Sequence, residues 1–233
     1  MKMFPIAILC AGKGSRLYPV TKTIPKSMIK ISGKPFISHQ LEILKDNDFT
    51  DVCICLGYLG NQIVDFVNTK NFGLNIIFAY DGEYLLGTGG SIKKALPLLG
   101  DDFFVIYGDS YLELNYESIQ QKFIDNKKLA LMTIYKNDGK FDKSNVEYKD
   151  GKIISYSKEN TRGMMHIDYG VSVFNKHAFD GFSQEKFDLK EVFLKMLKQN
   201  ELTSYVAKNR FYEIGSFNGI RELDEYLKNK EKI

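Results

Sequence analysis

The chain has 233 residues, 44% of them hydrophobic, which is enough to bury one core without disulfide or metal staples. Its 32 basic and 29 acidic residues leave a net charge of only +3 and form no block of like charge, so nothing reads as a nucleic-acid arm and small anions are the expected partners. The three cysteines, Cys10, Cys53 and Cys55, make neither a disulfide framework nor a four-ligand zinc set and read as buried thiols.

The N-terminal "MKMFPIAILCAG" has one lysine and an apolar run too short for a secretion signal, and it lacks the small residues of a cleavage site. "FPIAIL" therefore reads as a buried first strand. No apolar stretch approaches the roughly 18 residues of a membrane span, so no membrane partner and a cytoplasmic location are expected. Three more apolar runs follow, "DVCICLGY", "LNIIFAY" and "DFFVIYGD". Between them, "KPFISHQLEILKDN", "GNQIVDFVNTKNF" and "GGSIKKALPLLG" carry apolar residues at helical spacing, such as Ile37, Leu41 and Leu44. After the helical "NYESIQQKFIDNK" the texture turns β-rich: "ALMTIYKN", "SNVEYKDGKIISYSK" with a KDG turn signal, and "HIDYGVSVFN". This second half adds a mixed β layer. Two amphipathic helices near Leu189 to Lys198 and Asn218 to Lys230 close the chain, separated by the strand-like "LTSYVA" and "RFYEIG". The expected fold is α/β: a mixed, mostly parallel central sheet flanked by helices, with a small β-rich portion. One domain over residues 1–233 is expected.

Chemistry gathers first in "CAGKGSRLYPVTKTIPK", Cys10 to Lys26, which follows the first strand and so stands where open α/β sheets bind ligands. Gly12 and Gly14 allow a tight turn and close backbone approach to a phosphate, while Lys13, Arg16, Lys22 and Lys26 supply positive charge. Two phosphate loops fail on counting. A Walker loop needs Ser or Thr after Gly-Lys and a glycine where Ala7 stands. A dinucleotide turn needs a third glycine where Leu17 stands, and Pro19 obstructs the helix that should follow.

The pattern Gly12-x-Gly14-x-Arg16-Leu17, Pro19-x-Thr21 and Pro25-Lys26 resembles the opening signature of the sugar-1-phosphate nucleotidyltransferases, a GT-A-like, Rossmann-like α/β family. Four further segments in the family's order extend the resemblance: "LLGTGGSI" (85–92), "YGDS" (107–110), "IDYGVSVF" (167–174) and "FYEIGS" (211–216). The resemblance implies transfer of a nucleotidyl group from an NTP to a sugar 1-phosphate or related phosphate monoester, with loss of pyrophosphate, for cell-surface polysaccharide precursors. It implies Arg16 and Lys26 as catalytic cations on the triphosphate. Leu9, Ala11, Gly12, Lys13, Gly14, Ser15, Gly87, Thr88 and Gly108 are then expected to bind nucleotide, in a nucleotide-binding half that is mainly 1–110, with 111–233 mainly the acceptor-binding half. In the base segment, glycines would let a base edge lie on the backbone, with a helix starting from Ser91 facing the ligand. Ala11 leans the base toward CTP or UTP, while "LLGTGG" also resembles guanylyltransferases and keeps GTP open.

The family's metal is Mg²⁺, a hard cation content with one or two carboxylates plus substrate phosphates, and Asp109 is its first expected ligand. Glu213 stands where the family usually has Asp and is the second. The acceptor side departs further. Where relatives read E-K-P this chain has Lys158-Glu159-Asn160, and where they read N-x-G it has Asp168-Tyr169-Gly170. Lys158, Asp168 and Gly170 are the expected acceptor contacts. The carboxylate of Asp168 suits two sugar hydroxyls or a cationic acceptor, so a cytidylyltransferase for a phosphocholine-like phosphate is the alternative. A glycosyltransferase of similar fold would normally show Asp-x-Asp, which Gly108-Asp109-Ser110-Tyr111 does not. A non-catalytic nucleotide-sugar sensor is the remaining alternative, motivated by Glu213 and the altered E-K-P.

Overall fold

In the computed structural model, which describes residues 1–230, the first apolar run becomes β1 (Ile6–Leu9). Three single 3-10 turns follow, at Ser15–Leu17, Val20–Lys22 and Lys26–Met28. A short ribbon, β2 (Lys30–Ile31) with β3 (Lys34–Pro35), leads into α1 (Phe36–Asp46). The alternation then runs through β4 (Asp51–Leu56), α2 (Gly60–Asn68), β5 (Asn75–Tyr80), α3 (Gly87–Leu99) and β6 (Asp102–Tyr107). The second half supplies β7 (Ser110–Tyr111), α4 (Tyr116–Asn126), β8 (Ala130–Lys136), β9 (Val146–Lys149), β10 (Lys152–Tyr156) and β11 (His166–Asn175). It ends with α5 (Leu189–Lys198), β12 (Leu202–Ala207), β13 (Tyr212–Glu213) and α6 (Phe217–Lys230). Residues 231–233 of the expected domain lie outside the described residues.

Nine strands share one sheet. β6, β1, β4 and β5 lie side by side and parallel. β11 runs antiparallel between β6 and β8, and β12 closes that edge parallel to β8. The β-rich second half thus extends the sheet instead of adding a layer. The β9–β10 hairpin joins the sheet at β11 through the pairing of His166 with Val146. Its turn residues, Asp150 and Gly151, have φ of 49° and 79°, the left-handed geometry that the KDG signal announces.

The central strands are apolar on both faces because helices cover both. Ile6 and Ile8 join Ile54 beneath α1, α2 and α4, while Ala7, Cys53, Cys55 and Val105 face α3 and α5. Cys53 and Cys55 are buried on one face, as their spacing in a strand demands, and burial pushes the Cys10 thiol up to about 12. A third cluster is specific to the site. Leu17, Ile29, Ile31 and Phe36 pack with Tyr111, Ile214, Leu223 and Leu227, so α6 pins the opening loop against β7 and β13. Each fully buried leucine here contributes about 2 kcal/mol. No helix among the described residues is long and apolar enough to cross a membrane.

Candidate active site

The opening loop folds on itself before it can offer its charges. Gly14 has φ +62°, and a Cβ there would press Thr21 Cγ2 at 3.2 Å and Lys26 Cβ at 3.3 Å. The Thr21 hydroxyl donates to the Gly14 carbonyl at 2.8 Å and closes the loop. Gly14 is therefore glycine for the sake of the turn. Gly12 differs, since no protein atom lies within 4 Å of its Cβ position, and the room there is open cleft. Leu17 dives into the third cluster and leaves its neighbour Arg16 exposed. Lys13 and Ser15 are exposed and line neither of the cavities described below.

The end of β6 crosses the end of β1 so closely that only glycine fits at 108, where a Cβ would lie 2.5 Å from the Leu9 carbonyl oxygen. Asp109 follows, and its Oδ2 receives the Lys26 ammonium at 2.5 Å. Both side chains are about one-fifth exposed, at 18% and 21%. The β7–β13 ribbon then sets Glu213 opposite Ser110, and the Ile214 N–H donates to the Asp109 carbonyl at 2.9 Å. Burial raises the Glu213 carboxyl above the usual range; the charges of Asp109 and Asp142 add to this, and those of Arg16 and Lys26 oppose it. At Gly215 the place of a Cβ is taken by Glu213 Oε2, 2.7 Å away, and Arg16 Nη2, 2.9 Å away. Two cations and two carboxylates from distant parts of the chain thus meet at the mouth of the sheet. The carboxylates offer hard oxygen donors for a divalent cation. Among the described residues no group of three or more His, Cys, Asp or Glu could hold a metal ion.

On one side of Asp109 lies a cavity of about 240 Å³ lined by Leu9, Ala11, Gly12, Gly87, Thr88 and Gly108, with Lys26 at its edge. Its base-segment wall is built differently from the sequence expectation. α3 starts at Gly87, not Ser91, and the N–H groups of Gly89 and Gly90 both donate to the Phe187 carbonyl, at 3.0 and 3.1 Å. A Cβ at Gly89 would lie 2.4 Å from Phe187 ring carbons, and one at Gly90 would lie 2.1 Å from the Glu185 carbonyl oxygen. These two glycines admit the chain before α5, and the first N–H groups of α3 are spent on it. Two carboxylates in this wall escaped the sequence reading. Asp81 is buried and accepts the Leu86 N–H at 2.9 Å and the Ser91 hydroxyl at 2.6 Å, which fixes the loop. Its position just past a strand end was the available signal. Asp188 comes from the second half and gave none. Gly89→Ala is expected to cost about 1–3 kcal/mol of stability by overpacking and to raise the nucleotide KM more than it lowers kcat. Thermal melts and initial rates check this.

On the other side lies a cavity of about 400 Å³ lined by Arg16, Lys158, Asp168, Gly170 and Glu213 among others, and Tyr107 and Asp109 line both spaces. β11 is irregular between Asp168 and Ser172, where Gly170 takes φ +98°. This bulge turns Asp168 into the cavity. Its carboxylate accepts the Tyr156 hydroxyl at 3.2 Å and the Gly170 N–H at 3.1 Å. Burial raises the Asp168 carboxyl, against the pull of the Gly170 N–H, the Lys158 charge and the Tyr156 hydroxyl. Lys158 is exposed at the rim. His166 packs edge-on against Tyr148 at 5.1 Å and is absent from the cavity wall.

Known proteins similar to this chain include nucleotidyltransferases. Over 210 residues the chain is 28% identical to a D-glycero-alpha-D-manno-heptose 1-phosphate guanylyltransferase of Campylobacter jejuni, covering 89% of this chain and 93% of that one. A choline-phosphate cytidylyltransferase of Streptococcus pneumoniae is 27% identical over 245 aligned positions, covering 96% and 98%. The crystal structure of HddC from Yersinia pseudotuberculosis complexed with GMP-PN matches with a TM-score of 0.82 at 27% identity, covering 97% of this chain and 100% of that one. The model of the family described as Nucleotidyl transferase matches residues 6–230, and with the signature loop and its partner motifs folded into one cleft, this chain belongs to that family.

Proposed function

We propose that the protein transfers the nucleotidyl group of GTP to a sugar 1-phosphate, releasing pyrophosphate, with Mg²⁺ as cofactor, and so supplies nucleotide-activated sugar for cell-surface polysaccharide. The observation that carries this reading is the meeting of two cavities at Asp109, with Lys26 and Arg16 beside the junction. A phosphate oxygen of the acceptor forms the new bond to the α-phosphorus, and the bond from that phosphorus to the pyrophosphate oxygen breaks. The attacking phosphate is already ionised, so the protein needs no general base, and its work is positioning and charge. Lys26 and Arg16 neutralise the triphosphate and the charge that develops on it. Asp168, held by Tyr156 and Gly170, accepts hydrogen bonds from sugar hydroxyls, and Lys158 attracts the acceptor phosphate. Asp109 and Glu213 would hold Mg²⁺, which would supply further positive charge to the phosphate oxygens.

The choice of GTP rests on the heptose 1-phosphate guanylyltransferase relative and on the GMP-PN complex, and it replaces the lean that Ala11 suggested toward CTP or UTP. The Ala11 side chain packs close to Gly57, where an added Cβ would lie 2.9 Å from it. A second reading, cytidylyl transfer to a phosphocholine-like acceptor, is favoured by the carboxylate at Asp168 and by the cytidylyltransferase relative. Pyrophosphate release from the four NTPs, each with mannose, heptose, glucose and N-acetylglucosamine 1-phosphates and phosphocholine, separates the two. Turnover confined to GTP with a mannose or heptose phosphate is the expected result. Turnover confined to CTP with phosphocholine establishes the second reading, and nucleotide binding without pyrophosphate release from any pair defeats both.

A further inference from the structure

Gln40 lies on α1 and is 2% exposed. Its Nε2 donates to two carbonyls, those of Tyr107 and Ser110, each at 2.9 Å. These carbonyls bracket Gly108 and Asp109, the turn at which both cavities meet. Two further main-chain groups of the turn are held by backbone: the Gly108 N–H donates to the Leu9 carbonyl at 3.0 Å, and the Asp109 carbonyl accepts from the Ile214 N–H. A primary amide has two N–H bonds on one atom, so it bridges both carbonyls from one position without adding charge.

The same helix also holds the other side of the site. The Phe36 N–H donates to the Ile29 carbonyl at 2.9 Å, one turn beyond Lys26, and a His39 ring nitrogen meets the Ile31 carbonyl at 2.8 Å. α1 thus grips both the segment after Lys26 and the turn carrying Asp109. Packing alone does not account for the residue. The amide oxygen of Gln40 is buried with no hydrogen-bond partner among the described residues, a cost that methionine of similar volume would not incur.

We infer that Gln40 is a positioning residue, which sets the Asp109 carboxylate against Lys26 and Glu213 by clamping the two carbonyls around it. The consequence for catalysis rests on the proposed function, whereas the clamp itself does not. Two variants test it: Gln40→Met removes both donors, and Gln40→Glu keeps the shape and, when protonated, one donor. In the free protein, hydrogen exchange at residues 108–110 of Gln40→Met is expected to quicken while β4 and α3 keep their protection. In the assay, Mg²⁺ half-saturation should rise by about tenfold and kcat should fall, with nucleotide KM nearly unchanged, as for other groups that hold metal ligands in place. Gln40→Glu should fall between the two and decides the matter if Gln40→Met does not fold. Unchanged exchange at 108–110 together with unchanged Mg²⁺ half-saturation in a folded variant overturns the inference. Wild-type turnover without any need for Mg²⁺ would instead defeat the metal reading, and the exchange data alone would then judge Gln40.

Discussion

Lys26→Ala is expected to lower kcat by a hundredfold or more, the scale of losing one preorganised donor, and at the same time to let the free protein bind Mg²⁺ without nucleotide. The two effects point in opposite directions because Lys26 has two duties. Its ammonium lies 2.5 Å from Asp109 Oδ2, on an oxygen that a metal would need, and neither group is more than about one-fifth exposed. In the free protein the ammonium neutralises Asp109. On the proposed function, the oxygens of an entering triphosphate would compete for the same ammonium and would leave Asp109 free to hold a cation. A hundredfold loss corresponds to about 2.7 kcal/mol of barrier, within reach of one charge in a partly water-excluded site. Lys26→Arg is not expected to restore activity, since the lysine stem packs on Gly14, with Cβ 3.3 Å and Cδ 3.6 Å from the Cβ position there, and a planar fork does not follow that path. Single-turnover rates test the first effect and calorimetric titration with Mg²⁺ alone the second. A folded Lys26→Ala protein with near-normal turnover would sink the catalytic assignment. Unchanged metal affinity in the same protein would sink the guarding role.

Much of this site was readable because its parts sit at strand ends. Buried parallel strands appear as continuous apolar runs, so β1, β4, β5 and β6 stand out; Asp109 falls just past the end of β6, and the loop that carries Arg16 and Lys26 follows β1. What one sequence hides is pairing at a distance. β7 and β13 have two residues each, too short for any periodicity, yet their pairing sets Glu213 opposite Ser110, the neighbour of Asp109. Gly89 and Gly90 read as a ligand-facing loop because their local spacing suits one, but Phe187 and Glu185, nearly a hundred positions later, occupy that space. Gly14 has a similar lesson. The expected phosphate cradle is first a fold requirement, met by Thr21 and Lys26, and the phosphate side of the loop is left to Gly12 and the charges.

The second large effect belongs to Glu213: Glu213→Gln is expected to abolish the response to Mg²⁺, while Glu213→Asp keeps it at a higher half-saturation. The aspartate matches the family's usual residue but is one methylene short for a backbone built around glutamate. The pH dependence follows from the direction of the carboxyl's displacement. Burial, then the charge of Asp109, holds Glu213 above the ordinary glutamate value of about 4.3. A cation must displace the proton from this carboxyl, so Mg²⁺ binding weakens as pH falls through the raised value, and the acid limb of Mg²⁺-dependent activity lies above the range of an exposed glutamate. For the free protein the sign reverses. The folded state holds this proton more tightly than the unfolded one, so the contribution of Glu213 to stability falls as pH rises from about 4.3 through the raised value. Above that value a carboxylate that Arg16 and Lys26 only partly offset burdens the fold. Glu213→Gln removes the burden, and its melting temperature without ligand should exceed that of the wild type at neutral pH while its gain from added Mg²⁺ and nucleotide shrinks. If Glu213→Gln retains the wild-type Mg²⁺ half-saturation and acid limb, the second metal ligand is not Glu213, and the carboxylate then serves Arg16 instead.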